Sequence, residues 1–506
     1  MTFRGKSVVG SSLINVAAGV LSLVAGFCAS IIVARMLGVE GTGIVAFALY
    51  IMALATAIAG LGLPQSALRF VAGGASDDSY RPLSSALTKR FAATTGLMAA
   101  AILSYALWLY AFGDETAAFI WAATTVLFLA YAYSALSLGV AHGLGQSGAV
   151  AKRTLAGCVV QPIAIMVGAL LAGPAGAILG HALRHLPQAF ALRNYQATDR
   201  APTSPMTPAI RTYARNNWLS GLCVTLNSRL ELAILGLSFS IAAVGYYAIG
   251  LMLNGLVLQL SALLLVSLVP YLGFLHDQRD LPQLILAYRR SLRWLGIVLA
   301  PICFGGAAIA PVLIPSLFGE EFRPAVAIAE ILIVFSFTTS LASVPMHMLL
   351  AHHRSAERLW LSALWNGIFI VLLIAAVPLY GGLGAAWVRG AISVATLASF
   401  LWYCSVRLDV PFVATDIVKI VAAGALSAIA ARLCIYYDPD LIGMCLGVVA
   451  GAVVYGASLL LLSVLSADEK TLIVEWIFHR LPTRRGNASG AVTELEPGEL
   501  QAERSQ

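Results

Sequence analysis

NNWLSGLCVTLNSRLELAILGLSFSIAAVGYYAIG, residues 216–250, begins like a membrane-spanning helix and then departs from one. Asn227, Arg229 and Glu231 fall near the middle of its first apolar run, with apolar residues on both sides. A charge at the centre of a bilayer costs about 2.5–3.5 kcal/mol on the most lenient insertion scale. Two charges within three positions are tolerable if the helix turns them away from lipid, toward a partner helix or a wet cavity. The stretch also lies near the middle of the chain, where a second series of apolar runs starts. It reads as the first helix of a second half-bundle, facing a central cavity.

The surrounding composition agrees. Of 506 residues, 59% are hydrophobic and 11% charged, with mean hydropathy +0.86; soluble domains carry about 25% charged residues. The net charge is +7, but the basic residues are scattered through short loops without an aromatic–basic stripe, which argues against nucleic-acid binding. Seven cysteines, an odd number without a CxxC pair, lie in or beside apolar runs, which argues against a disulfide framework or a zinc site. The opening MTFRGK precedes an apolar run longer than the roughly 7–15 residues of a signal-peptide core, so it reads as an uncleaved first span.

A span needs about 20 mostly apolar residues. Fourteen are expected: 10–34, 44–63, 91–112, 117–138, 155–173, 174–192, 217–237, 241–270, 294–317, 325–348, 359–378, 382–402, 416–435 and 441–464. With the N-terminus inside, twenty-five of the 31 Lys and Arg fall in inside segments. Arg35, Arg323 and Arg432 fall outside, and Arg184, Arg229 and Arg389 fall within spans. That asymmetry follows the positive-inside rule and puts both termini in the cytoplasm. The fold class is therefore an all-α polytopic membrane protein. Residues 1–192 read as an N-terminal lobe and 193–215, with Pro202, Pro205 and Pro208, as a cytoplasmic linker. A second lobe follows at 216–403 and two further helices at 404–465. The segment 466–506 reads as an amphipathic surface helix around Trp476 and Phe478 followed by a disordered tail. Pro162, Pro187, Pro270, Pro301, Pro311 and Pro345 interrupt spans, as in helices whose neighbours or waters satisfy freed backbone groups.

Three segments carry a family likeness. Residues 34–73 contain Arg35-Met-Leu-Gly38, Gly41, Gly43, Gly60-Leu-Gly62-Leu and Arg69-Phe70. Later come Arg229-Leu-Glu231, Leu235-Gly236 and Gly245-Tyr246-Tyr247, then Leu317-Phe-Gly319 with Glu321-Phe322. In order and spacing these resemble the polysaccharide-type flippases of the multidrug/oligosaccharidyl-lipid/polysaccharide exporter superfamily, over about 5–465. The resemblance implies a MATE-like arrangement of two six-helix lobes plus two helices, working by alternating access. It implies a polyprenyl-diphosphate-linked oligosaccharide as substrate, the bacterial inner membrane as location, and a polymerase and glycosyltransferases as partners. The branch that moves the peptidoglycan precursor has arginines inside its first helix. Here no charge lies between Lys6 and Arg35, which favours an exopolysaccharide, capsule or O-antigen unit. Glu231 stands where the family more often has Asp.

The chemistry fits an anion. Arginine presents a planar fork of donors to phosphate and keeps its charge when partly buried. His181, Arg184, His185 and Gln188, spaced i, i+3, i+4, i+7, share one helical face of span six. With Arg229 of span seven and Arg389 of span twelve they form the candidate substrate set. Ion pairs or backbone bonds within the bundle are the competing reading for each arginine. Arg229 and Glu231 point about 200° apart and are not expected to pair with each other. Asn227 and Glu231 share a face; Glu231 is a candidate structural ion pair or a coupling site for H+ or Na+. Glu330 reads as an interfacial carboxylate. Arg35 and Arg69, at helix ends, match the family positions. Neither a metal cluster, a nucleophile motif nor a phosphate loop is found, and no cofactor is expected. The protein is therefore expected to be a carrier and not an enzyme. The alternatives are a drug/cation antiporter of the same superfamily and a membrane polymerase or ligase acting on the lipid-linked glycan.

Overall fold

In a bilayer every backbone N–H and C=O must find its partner within the chain, so spans of this composition become helices. The computed structural model describes residues 5–71, 80–191, 206–265, 268–408, 410 and 414–464, with the side chains at 5–17, 191, 227, 269, 270 and 414 outside the description. The described residues form an all-helical bundle. The expected amphipathic segment after Ser466, the tail and most of the 193–215 linker lie outside them.

Three helices are far too long for one crossing: α1 (Gly5–Gly60), α5 (Ser147–Ala191) and α12 (Ser355–Arg407). A straight 53-residue helix such as α12 would run about 80 Å, against about 30 Å of hydrocarbon. Each folds back at a glycine with positive φ: Gly38 (66°), Gly173 (56°) and Gly381 (57°). A side chain there would collide with its own backbone, so one glycine does the work of a loop. The expected spans one and two, five and six, and eleven and twelve are the paired arms of these three helices. Among the described residues, ten stretches are long and apolar enough to cross a membrane, three of them such pairs. Helix α6 (Pro208–Ser238) falls below that hydropathy through its polar centre yet completes fourteen passes among the described residues.

Boundaries differ in instructive places. Span seven starts at Pro208, within the expected linker, because Thr207 caps it by accepting from the Ile210 amide and proline suits the first helical turn. A short helix α2 (Leu63–Phe70) follows α1 and was not foreseen. The expected ninth span is α9 (Leu281–Ala300), a π-turn at Pro301–Gly305, and α10 (Gly306–Phe318). Proline at 301 removes an amide from the helical ladder there.

The remaining helices are α3 (Arg81–Ala111), α4 (Glu115–Gly143), α7 (Ile241–Leu265), α8 (Leu268–Asp277), α11 (Ala325–Ala351), α13 (Ala414–Tyr437) and α14 (Leu441–Leu461). Helices α1, α3, α4 and α5 pack on one another, as do α7, α11 and α12, while α13 and α14 pair and lie against α9 and α10. The alternation of spans puts Gly38, Gly173 and Gly381 on one face of the bundle, called here the hinge face. Large apolar side chains such as Leu97, Leu171, Trp360, Leu379 and Tyr437 stand outward, the pattern of a protein whose solvent is lipid. The chain is a multi-pass membrane protein.

Candidate functional site

The polar face of α5 beyond Gly173 is fastened within the first half of the chain. Arg184 Nη1 donates to Gln161 Oε1 at 2.8 Å, and Nη2 donates to Ser22 Oγ on α1. Gln161 Nε2 lies 3.3 Å from His181 Nδ1, and Gln188 Nε2 donates to Thr154 Oγ1 at 2.9 Å. His185 stacks edge-on against Tyr131 of α4, ring centroids 5.0 Å apart, and its Nδ1 is buried without a described partner. The structure thus brings the four expected residues together, against partners from the first arm of α5, from α1 and from α4. Both partners shown for Arg184 are neutral, so its charge is not compensated by them. Gln161 and Thr154 were missed. Seven residues apart on one face of an apolar span, they carried the signal that the His181–Gln188 face had a counterpart.

The second half is organised around Glu231. Helix α6 leaves helical geometry at Arg229 (φ −146°, ψ 24°). Two residues later Glu231 is fully buried, the one charged side chain so placed among the described residues. Arg389, from the second arm of α12, donates Nε and Nη2 to Glu231 Oε1. Tyr247 Oη of α7 donates to the same oxygen at 3.1 Å. Arg389 Nη2 also lies 3.3 Å from the Ser228 carbonyl, next to the break. Its guanidinium stands 5.4 Å from the centroid of Phe369. Glu231 Oε2 is buried and has no hydrogen-bond partner among the described residues. Arg389 is therefore an inter-helix ion pair here, 23% exposed on its side chain against 0% for the carboxylate.

Arg229 is different. It is exposed and has no hydrogen-bond or ion-pair partner among the described residues. Tyr131, whose ring packs on His185, lies within its electrostatic reach. The arginine at the break of α6 is thereby turned across the bundle toward the polar set of α5. The Asn227 side chain lies outside the described residues.

The other expected positions sit at the ends. Glu330, in the second turn of α11, pairs with Arg432 of α13 at 2.9 Å, and Arg432 also reaches the Ala308 carbonyl at 3.2 Å. Arg35 donates Nε to the Leu317 carbonyl at 2.9 Å and Nη2 to that of Ser316, capping the end of α10. Arg69 lies 4.6 Å over the Tyr213 ring of α6. At the hinge face α1 and α7 touch so closely that a Cβ on Gly43 would stand 2.1 Å from the Ile241 carbonyl oxygen, and one on Gly245 2.2 Å from that of Val39. At the opposite end Trp218 Nε1 donates to the Ile58 carbonyl at 3.1 Å. The two halves thus meet at both ends, with Arg229 and the buried pair between. An apolar cavity of about 270 Å³ opens nearer the hinge face, between α1, α4 and the start of α7, with Ile44, Ile51, Ile120 and Trp121 in its wall. Its lining offers no anion site. Among the described residues, no group of three His, Cys, Asp or Glu side chains could hold a metal ion.

Among solved structures, the fold is similar to the lipid II flippase MurJ in an inward closed conformation. The TM-score is 0.69 at 12% identity, covering 92% of this chain and all of that one. It is also similar to a multidrug resistance MATE family transporter of the MOP superfamily in an inward-facing conformation (TM-score 0.58, 13% identity, 77% of this chain and 96% of that). A MATE transporter of Vibrio cholerae matches at TM-score 0.51 and 14% identity, over 78% of this chain and 95% of that. At these identities the likeness establishes the fold, which is the MATE-like one expected. No curated protein sequence matches the chain significantly. A family model described as polysaccharide biosynthesis protein matches residues 32–327, which run from Arg35 and the α1 hinge through the broken helix of Arg229 and Glu231 to the Arg35-capped end of α10. The chain belongs to this polysaccharide biosynthesis protein family, with the fold of the MOP superfamily transporters.

Proposed function

We propose that the protein is a flippase for polyprenyl-diphosphate-linked oligosaccharide repeat units, working by alternating access of its two lobes in the bacterial inner membrane with both termini cytoplasmic. The observation that carries this reading is Arg229, an exposed arginine without a described partner, at a helix break between the lobes. A diphosphate crossing hydrocarbon needs such a cation, while its lipid tail can stay in lipid. Arg184, held by neutral partners, supplies a second positive charge on the facing lobe. His181, His185 and Gln188 complete the polar wall, and Arg389 joins it where its edge is open.

The uncharged stretch between Lys6 and Arg35 favours an exopolysaccharide, capsule or O-antigen unit over the peptidoglycan precursor. A polymerase and glycosyltransferases are the partners this reading requires. The reaction moves its substrate without changing it, so the protein acts as a carrier and not as an enzyme. Against a drug/cation antiporter stands the occupancy of Glu231, the one fully buried acid among the described residues, by Arg389. Deletion of the gene tests the proposal. Lipid-linked repeat units should accumulate in the inner leaflet and surface polysaccharide should be lost. Normal polysaccharide with new drug sensitivity would overturn it in favour of the antiporter.

A further inference from the structure

We propose that Arg389 is a shared cation: Glu231 holds it between transport events, and the diphosphate of the substrate takes it over as one proton enters on Glu231. The inference rests on the flippase reading above and gives it a coupling step.

Three features of the pair support exchange. First, its members differ in access. The carboxylate is fully buried, whereas the guanidinium is 23% exposed, so an anion that comes to the pair meets Arg389 without meeting Glu231. Second, the bonds leave one edge of each group open. Arg389 spends Nε and Nη2 on Glu231 Oε1, and among the described residues nothing takes Nη1. A diphosphate could then engage the Nη1–Nη2 edge in the bidentate manner that suits it. On the other side Glu231 Oε2 is buried and has no partner among the described residues. A buried acceptor without a partner is costly and calls for an explanation; an atom that receives a proton in another state of the cycle is one. Third, Arg389 keeps supports that do not depend on Glu231. The Ser228 carbonyl lies 3.3 Å from Nη2, and the Phe369 ring faces the guanidinium at 5.4 Å. The guanidinium can therefore change anions without losing its place.

The proton follows from the surroundings of Glu231. The groups that face it are Arg389 from α12, Tyr247 from α7 and Tyr50 from α1, while Arg229 of its own helix points away from it. Once Arg389 turns to phosphate, the carboxylate keeps a neutral phenol and buried walls. A bare carboxylate in such a place neutralises by taking a proton. The proton comes from water and goes to Oε2, and no bond of the substrate changes. Before exchange the pair is neutral. Afterwards the guanidinium balances one of the two diphosphate charges, and the protonated Glu231 carries none. One proton is gained for each diphosphate bound.

Calorimetry on the purified full-length protein tests this, with farnesyl diphosphoryl glucose as the probe. Both of its phosphates are esterified and do not titrate near neutral pH. Binding measured in buffers of different ionisation enthalpy gives the proton count. The expected result is uptake of close to one proton per probe in the wild type. Glu231→Gln should abolish the uptake and tighten binding on the order of tenfold, because Arg389 is then free of its competitor. If that single variant does not fold, Glu231→Gln with Arg389→Gln removes both charges and should bind more weakly than wild type without uptake. Wild-type binding without proton uptake would overturn the exchange, as would uptake that survives in either variant. A wild-type protein that does not bind the probe at all would overturn the flippase reading itself, a separate result.

Discussion

Glu231 and Arg389 stand 158 positions apart on different helices, and their side chains meet where α6 and α12 pack. The carboxylate is buried, Tyr247 shares its bonded oxygen, and the arginine also reaches a carbonyl beside the break in α6. The break that exposes Arg229 and the pair that anchors Glu231 are one local arrangement. A carboxylate turned inward at a helix discontinuity needs a cation from another helix, and α12 supplies it.

Arg229→Ala should abolish transport while the protein accumulates normally, because the side chain is exposed and supports no described neighbour. Arg229→Lys keeps the charge but loses the paired donors, and activity should fall on the order of tenfold. Transport in vesicles, read beside protein abundance in the membrane, checks both. Full transport by a well-expressed Ala variant would end the diphosphate role.

Arg389→Ala should behave in the opposite way. It leaves Glu231 buried without its counter-charge, at a cost of about 3–5 kcal/mol. Thermal unfolding in detergent should shift down markedly and abundance should fall. Arg389→Gln combined with Glu231→Gln should recover most of that loss, since no charge is then stranded. Equal instability of the single and double variants would contradict the pairing.

Gly245→Val places a side chain against the Val39 carbonyl, where even a Cβ would stand at 2.2 Å. Forcing α1 and α7 apart should cost about 1–3 kcal/mol and loosen the hinge-face contact. A cysteine introduced at the neighbouring Glu40, with the native cysteines replaced, should then react faster with a soluble maleimide. An unchanged rate would mean that the helices do not close there.

His352, in the turn between α11 and α12, bears on acid stability. Burial first, then the nearby His276, Arg354 and His353, hold its pKa below the ordinary 6.5. A histidine depressed in the folded state binds its proton more readily when unfolded, so stability falls as pH drops below about 6.5 and recovers as pH rises. His352→Gln should flatten that slope in unfolding measured across the acid range. The same slope in both proteins would refute the assignment.

Orientation is the remaining expectation open to direct measurement. Cysteines placed at Asp114 or Asp438 should label with an impermeant reagent in intact cells, and one within 193–215 should not. Labelling of the linker from outside would reverse the topology.

Much of this protein was legible in its sequence. Hydropathy fixed the number of passes, because burying a backbone in lipid leaves helices as the available solution for such runs. The distribution of Arg and Lys kept the count consistent, and the polar centre at 227–231 marked the helix on which the second half is built. Helical periodicity correctly put His181, Arg184, His185 and Gln188 on one face. Periodicity gives a direction and not a neighbour, however. Nothing local to Arg184 says that Ser22 and Gln161 would take its donors, and nothing local to Arg389 says that Glu231 would. Those choices depend on how helices far apart in sequence cross, down to contacts as close as Gly43 on Ile241. The sequence by itself determined a fourteen-pass bundle with three arginines in its spans. Only the tertiary structure decided which arginine is neutralised by an acid, which is held by neutral acceptors and which stands open between the halves, because a buried charge is settled by the partner that packing brings within hydrogen-bond distance.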